Sequence, residues 1–312
     1  MEELRAVSND FLIRGTAADG NVRCMAAVTT NLVAEAVARH RTSPTVAAAF
    51  GRVLTGALLL GSGLKELDRL TIQIVCDGPI GGITAEVREQ GRVRGYVRNP
   101  EADANLNHAG KFDVSTVIGN GTFYVTHESG YDIGLYREPY RGSVPIISGE
   151  IAEDFAHYLT KSEQIPSAVM LGVLMRARAE GALFVEAAGG LIIQILPGAD
   201  PGIVAAIEET VRVAPHTTTM IREGASPEDL LRMALGNLSF EVLERRSVEF
   251  SCSCSYARAA SLIASIDAHE LNAMLREDGG AAMTCHFCNE TYRFEAKDLE
   301  KMIAEKAERL RA

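Results

Sequence analysis

The last fifth of the chain carries four cysteines in two close pairs, Cys252-x-Cys254 and Cys285-x-x-Cys288, with 30 residues (255 to 284) between the pairs. A thiolate is a soft donor, four of them fill a tetrahedral shell, and CxxC is a frequent zinc half-site. The pattern therefore predicts one Zn²⁺ held by Cys252, Cys254, Cys285 and Cys288. The CxC half has a one-residue spacer and a tight bite, and such a pair can also be oxidised to a strained disulfide in a very small ring. Scaffolding by the metal and chemistry at sulfur both stay open at this point. His286 lies inside the CxxC, but four thiolates already complete the shell. Cys24 and Cys76 have no Cys or His at ligand spacing, and Cys76, at the end of an apolar run, reads as a small buried side chain.

A chain of 312 residues that is 47% hydrophobic can bury one substantial core and carry a second, smaller unit. Six cysteines are sparse, and four of them are committed to one cluster, which is the pattern of a reducing compartment with a metal. A cytoplasmic location is expected. The amino-terminal stretch MEELRAVSND is acidic and polar, without the basic start and apolar run of a secretory signal. The most apolar window, Val46 to Leu64, is broken by Arg52 and by Gly51, Gly56, Gly61 and Gly63, which suits a buried helix better than a bilayer span. The formal net charge of −10 argues against a nucleic-acid binder that relies on backbone electrostatics. Residues 248–312 hold 8 Lys and Arg against 11 Asp and Glu, a balance of −3, and four thiolates on one Zn²⁺ bring it to about −5. Neither a nucleic-acid nor a membrane partner is expected.

The fold class expected is α+β: a mixed, largely antiparallel sheet domain with packed helices (1–197), a helical linker (198–247) and a small zinc-binding domain (248–312). Ser43-Pro44 supplies a cap and first turn for a helix reaching Leu64. Strand patterns follow at Leu70 to Val75, Ile83 to Arg88, Val93 to Arg98, Gly121 to Thr126 and Tyr131 to Tyr136, separated by Gly, Asp, Asn or Pro turns. These separations leave no room for crossover helices. A helix is expected from Ile151 to Leu159, another starting near Ser167, and a buried strand ending at Pro197. In the linker, Asp200-Pro201 opens one helix and Ser226-Pro227-Glu228-Asp229 another, closing at Gly236-Asn237. Between the cysteine pairs, helices over Tyr256 to Ile266 and Asp267 to Glu277 form a hairpin, followed by a strand at Thr291 to Phe294. A terminal helix then carries Leu299, Met302, Ile303 and Leu310 on one face.

No hydrolytic or transfer motif stands out, and no enzyme is expected. Gly78-Pro79-Ile80-Gly81-Gly82 joins two strand patterns and lacks the Lys-Ser/Thr ending of a phosphate loop, so it reads as a turn. Ser162-Glu163-Gln164 reads as a helix end before Pro166, and Asp132 and Glu138 as a solvated strand face.

With Phe250-Ser-Cys252-Ser-Cys254-Ser255 and Cys285-His-Phe-Cys288 followed by Tyr292-x-Phe294, the chain resembles the thirty-three-kilodalton heat-shock proteins, redox-regulated holdase chaperones of the bacterial cytoplasm. Ser162-Glu163-Gln164-Ile165-Pro166, Gly189-Gly190 with Gln194-Ile195-Leu196-Pro197, Leu58-Leu59-Leu60 with Leu64-Lys65, and Arg94-Gly95-Tyr96 extend the resemblance over nearly the whole chain. It implies an amino-terminal α/β domain, a helical linker and a zinc switch that is inactive while reduced. Oxidants then link neighbouring cysteines, expel the metal, unfold switch and linker, and expose apolar surface that holds unfolded client proteins, often with formation of a homodimer.

Structural zinc supplies on the order of 10–16 kcal/mol in small peptides, more than a weak domain's folding free energy. Disulfides Cys252–Cys254 and Cys285–Cys288 close loops of only a few residues and constrain the chain little, whereas a metal spans the 30-residue hairpin. Two other functions compete: a thiol–disulfide oxidoreductase using the same pairs, which lacks a thioredoxin-like context, and a zinc module binding RNA or ribosomes, disfavoured by the local charge.

Overall fold

The computed structural model describes residues 10–65, 68–88, 91–108, 110–129, 139–177 and 183–309, and the chain divides into two compact units, Met1–Ser251 and Cys252–Ala312. In the first unit, β1 (Phe11–Ala17) and β2 (Val22–Val28) form a hairpin whose turn holds Ala18, Asp19 and Gly20 at positive φ. Next come α1 (Thr30–His40) and α2 (Pro44–Leu60). Ser43 caps α2, its hydroxyl accepting from the Val46 N–H at 3.2 Å, and Pro44 occupies the first turn where no amide is needed. Extended by a short 3₁₀ turn, this Pro44–Gly63 helix is long and apolar enough to cross a bilayer, but it is largely enclosed by protein.

The chain continues through β3 (Arg69–Cys76), β4 (Gly82–Arg88), β5 (Arg92–Val97), α3 (Val114–Ile118), β6 (Gly121–Glu128), β7 (Tyr140–Pro145), α4 (Ala152–Lys161), β8 (Ser167–Ala177) and β9 (Leu183–Ile195). The helices α5 (Pro201–Val213), α6 (Thr217–Arg222) and α7 (Pro227–Leu235) precede β10 (Phe240–Ser247) and β11 (Glu249–Phe250). One sheet runs β10-β1-β2-β9-β8 and is antiparallel throughout; the other runs β11-β5-β4-β3-β6-β7 and is antiparallel except for the β11–β5 pair. The α+β class is as expected, and short turns between neighbouring strands explain the antiparallel pairing. The strand expected at Tyr131 to Tyr136, together with Asp132, Glu138 and Leu310, lies outside the described residues.

Helix α2 packs between the sheets, with β8 and β9 on one side and β4 and β5 on the other. Glycines let it approach closely: a Cβ on Gly56 would sit 2.4 Å from the Phe155 ring. Alternation along β1, β2 and β9 sends Leu12, Met25 and Ile192 into this core and Ile13, Cys24 and Ile193 to the opposite face. There α6 and α7 lie on the strands, and Ile207, Ile221, Leu230, Leu231 and Leu235 of α5–α7 close a second core.

Two expectations are corrected. The segment from Ser167 is a strand, not a helix, because it pairs antiparallel along its whole length with β9, from Ser167 opposite Gln194 to Ala177 opposite Leu183; Ser167–Met175 is half-buried on both faces and so shows no polar face of either period. The end of the expected helical linker, 240–247, is strand β10, which pairs with β1 through a bulge at Arg14/Gly15. Cys24 is fully buried, whereas Cys76 is only half-buried.

In the second unit, α8 (Tyr256–Ser265) is capped by Ser255, whose hydroxyl accepts from Arg258 N, and α9 (Ala268–Glu277) by Asp267, whose carboxylate accepts from His269 N. Then β12 (Gly280–Thr284) pairs antiparallel with β13 (Thr291–Glu295), and α10 (Ala296–Arg309) follows. Its fully buried apolar core among the described residues is small: Ala259, Ile263, Leu271, Phe294 and Leu299.

Candidate metal centre

Cys252 and Cys254 lie in the extended stretch ahead of α8, and Cys285 and Cys288 in the turn joining β12 to β13. That turn is closed by its own backbone: Cys285 N–H donates to Glu290 O at 2.9 Å and Asn289 N–H to Cys285 O at 2.8 Å. Asn289 sits at φ 58, a left-handed conformation that asparagine tolerates better than most residues. Thr284 and Thr291 exchange a hydroxyl hydrogen bond of 2.9 Å across the strands leading into it. On the CxC side, Arg258 donates to the Ser253 carbonyl at 2.8 Å and fixes the spacer residue.

The four sulfurs all lie within 4.8 Å of one another. Cys252 Sγ is 3.8 Å from Cys285 Sγ, and Cys254 Sγ is 3.3 Å from Cys288 Sγ. Sulfurs at tetrahedral corners about 2.3 Å from a zinc ion would be about 3.8 Å apart. The donor set is all sulfur, without oxygen, and this fits a borderline-soft cation. Together the sulfurs could hold one metal ion.

Electrostatics point the same way. Burial pushes the Cys285 and Cys288 thiols above their ordinary range; Cys252 pushes Cys285 further while the hydrogen bond of Cys285 with Cys288 pulls it back, and Cys254, Cys252 and Cys285 all push Cys288 up. Backbone N–H groups of Phe287 and Cys288 aimed at the Cys285 sulfur, and of Glu290 at the Cys288 sulfur, only partly oppose this. Four thiolates at this separation need a cation among them, because binding one is what displaces the protons.

His286 is not in the group that could share one ion. One participant was not assigned a role from sequence: Tyr292, on β13, donates its hydroxyl to Cys254 Sγ at 3.2 Å. An outer hydrogen bond of this kind orients a ligand and spreads its charge. An aromatic four residues beyond Cys288 is the one signal that could have suggested it.

The family model described as "Hsp33 protein" matches residues 10–295. The chain belongs to the Hsp33 family. The 33 kDa chaperonin of Desulforamulus reducens is 44% identical over 294 residues, covering 94% of this chain and 97% of that protein. That of Halalkalibacterium halodurans is 41% identical over 297 residues, covering 95% and 99%. The crystal structure of the 33 kDa chaperonin (heat shock protein 33 homolog) from Thermotoga maritima superposes with a TM-score of 0.85 at 34% identity, over 96% of this chain and 99% of that one.

In this Hsp33-family chain the family-like stretches away from the cysteines serve the fold. Glu163 accepts from the buried Tyr158 hydroxyl at 2.5 Å, and Ile165 N–H returns to Leu159 O at 2.9 Å, which together close the exit of α4. Gly95 faces α2, where a Cβ would meet Leu54 and Phe50 at 3.0 Å.

Proposed function

We propose that this chain is a holding chaperone of the cytoplasm, switched on by oxidation of a zinc-bound Cys252–Cys254–Cys285–Cys288 centre, and that it acts by binding rather than by catalysis. The observation that carries this reading is the convergence of four sulfurs in a unit whose buried apolar core is five side chains. Bound there, the metal would supply a cross-link between the two ends of the helical hairpin. While reduced, the four side chains act as thiolate donors, supported by the Phe287, Cys288 and Glu290 amides and by the Tyr292 hydroxyl.

A hypochlorite or peroxide oxidant would take two electrons from each thiolate pair as its S–S bond forms, and would itself leave as chloride and hydroxide or as two hydroxides. Pairing within Cys252/Cys254 and within Cys285/Cys288 removes all four donors and leaves two very small rings, which hold the chain ends no closer than before. The cross-contacts at 3.8 and 3.3 Å are the competing route, and disulfides formed there would keep the hairpin closed. With five fully buried apolar side chains among its described residues, a unit of about 60 residues is marginal by itself, so loss of the metal would open it.

Client binding then falls to apolar surface uncovered in the first unit. Of the helices covering it, α5 is the least held in place: it buries one residue, Ile207, while Val213 is 72% exposed, whereas α7 buries Leu230, Leu231, Ala234 and Leu235. Beneath the helices lie Ile13, Val22, Leu191 and Ile193. Once bare, that face suits unfolded clients or a second copy of the chain. An oxidoreductase reading is weaker, because thiolates committed to a metal are poor turnover nucleophiles and the CxxC sits in the turn between β12 and β13 rather than at a helix start.

The test measures zinc content and suppression of client aggregation on one sample before and after hypochlorite. Release of about one zinc together with gain of suppression is expected. Full suppression by the reduced, metal-loaded protein would defeat the proposal, as would peptide maps dominated by disulfides between the two pairs.

A further inference from the structure

We propose that the solvent face of the sheet β11-β5-β4-β3-β6-β7 binds single-stranded nucleic acid. The inner face of this sheet is apolar and packs on α2, with Leu70, Ile72, Ile83, Ala85, Val93, Phe123 and Val125 buried. The alternate residues form ordered rows on the other face. In the first, Arg92, Arg88 and Arg69 stand directly opposite one another on β5, β4 and β3, flanked by Glu249 and Glu128. The second row reads Arg94, Glu86, Thr71, Thr126 and Arg141, and the third Tyr96, Thr84, Gln73, Tyr124 and Ser143.

Like charges directly opposite each other across a sheet repel. With strands about 4.8 Å apart, the Arg92–Arg88–Arg69 row is a band of positive charge that the fold must offset. Glu86 does part of this: its Oε1 lies 2.8 Å from both Arg88 and Arg94 and 3.8 Å from Arg69. Burial alone would raise its carboxyl, but Arg94 and Arg88 hold it below the usual range, so it stays ionised. Five arginines, Arg92, Arg88, Arg69, Arg94 and Arg141, share these rows with three carboxylates, Glu249, Glu128 and Glu86, among the described residues, a local excess of +2 in a chain whose net charge is −10. Arg92, Arg88 and Arg69 have 56%, 37% and 39% of their side chains exposed, so a ligand reaches them. All five are arginine rather than lysine, and guanidinium forks match phosphate oxygens two at a time.

The neighbouring row favours nucleotides over an acidic peptide. Arg141 lies 4.2 Å over the Tyr124 ring, stacking a guanidinium plane on an aromatic one, and such planes stack on unpaired bases. Gln73 between the two tyrosines and Ser143 beyond Tyr124 offer hydrogen bonds to base edges. The expectation of no nucleic-acid partner came from the net charge and from residues 248–312, which include only the β11 edge of this face. The overall negative charge gives no long-range steering, so the binding is short-ranged and steep in salt.

The test is a fluorescence-anisotropy titration of the full-length, metal-loaded protein with a short fluorescein-labelled oligouridylate over a series of salt concentrations. Saturable binding is expected, with affinity falling as salt rises. Arg92→Gln, at the most exposed position of the band, should make the log–log salt slope shallower by roughly 0.7 to 1. Tyr124→Leu should weaken binding about tenfold, the loss of one stacking partner. Because the ion pair of Arg92 among the described residues is with exposed Glu249, its variant should keep the fold, which a thermal melt verifies. Absence of saturable binding at low salt overturns the proposal, as does binding that neither variant changes. If a polyglutamate peptide displaces the probe at equal charge and Tyr124→Leu has no effect, the face is an acidic-peptide surface and the proposal fails.

Discussion

The hydroxyl of Tyr292 donates a hydrogen bond to the sulfur of Cys254 at 3.2 Å, from the strand that follows the second cysteine pair to a member of the first. A donor on a ligand sulfur stabilises its thiolate, so Tyr292→Phe should lower zinc affinity about tenfold. Competition with a chromophoric chelator measures this. Equal retention by the variant would make the hydroxyl a passive neighbour.

Cys288 is the most buried of the four, 3% exposed. Cys288→Ser removes one soft donor and, with it, on the order of 10 kcal/mol of metal-linked folding free energy. The second unit should lose cooperative melting and become protease-sensitive while the first still melts as a unit. Mass spectrometry under native conditions should find the variant without metal.

Helix α7 starts with a reciprocal cap: Ser226 Oγ accepts from Asp229 N at 3.3 Å, and Ser226 N donates to Asp229 Oδ2 at 2.9 Å. Ser226→Ala should cost about 1 kcal/mol. Amides of α7 would then exchange faster in the reduced protein, and less oxidant would be needed to elicit client holding. Hydrogen exchange that is unchanged in α7 would separate this cap from the stability of the cover.

The pH dependence of the first unit has a traceable contributor. Asp10 is 5% exposed and accepts from Leu32 N at 2.7 Å at the start of α1, and burial raises its carboxyl to about 6 from 3.8. A raised folded-state value means the protonated form is the one favoured on folding. The contribution, about 3 kcal/mol, is fully present below pH 3.8 and is lost as pH rises through about 6. Urea midpoints taken between those values should fall for the native chain relative to Asp10→Asn. Parallel curves would rule out this carboxyl as the source.

The cluster of four sulfurs was legible because ligand chemistry is written in local spacing: CxC and CxxC each bring two sulfurs together whatever the rest of the chain does. Helices α2, α7 and α9 were legible for a similar reason, since Ser43, Ser226 and Asp267 cap them with their own side chains. Strand β8 was not, because α2 and α4 cover one face and α6 the other, which erases the polar alternation that marks a strand. In β10 the bulge opposite Arg14/Gly15 shifts the register and leaves Leu243 60% exposed, so its pattern reads as connector. Tyr292 escaped because its role depends on a partner 38 residues away. The arginine band escaped because its rows exist only after four strands have found their register.

The strands β1, β2 and β9 have a hydrophobic layer on each side, and only one of these layers is made by α5–α7. On the proposed switch, stripping that layer would leave Leu12, Met25 and Ile192 clamped against the central helices, so the exposed side would keep its shape while in use. Recovery would then be short-range reattachment to a standing template rather than nucleation of the whole body.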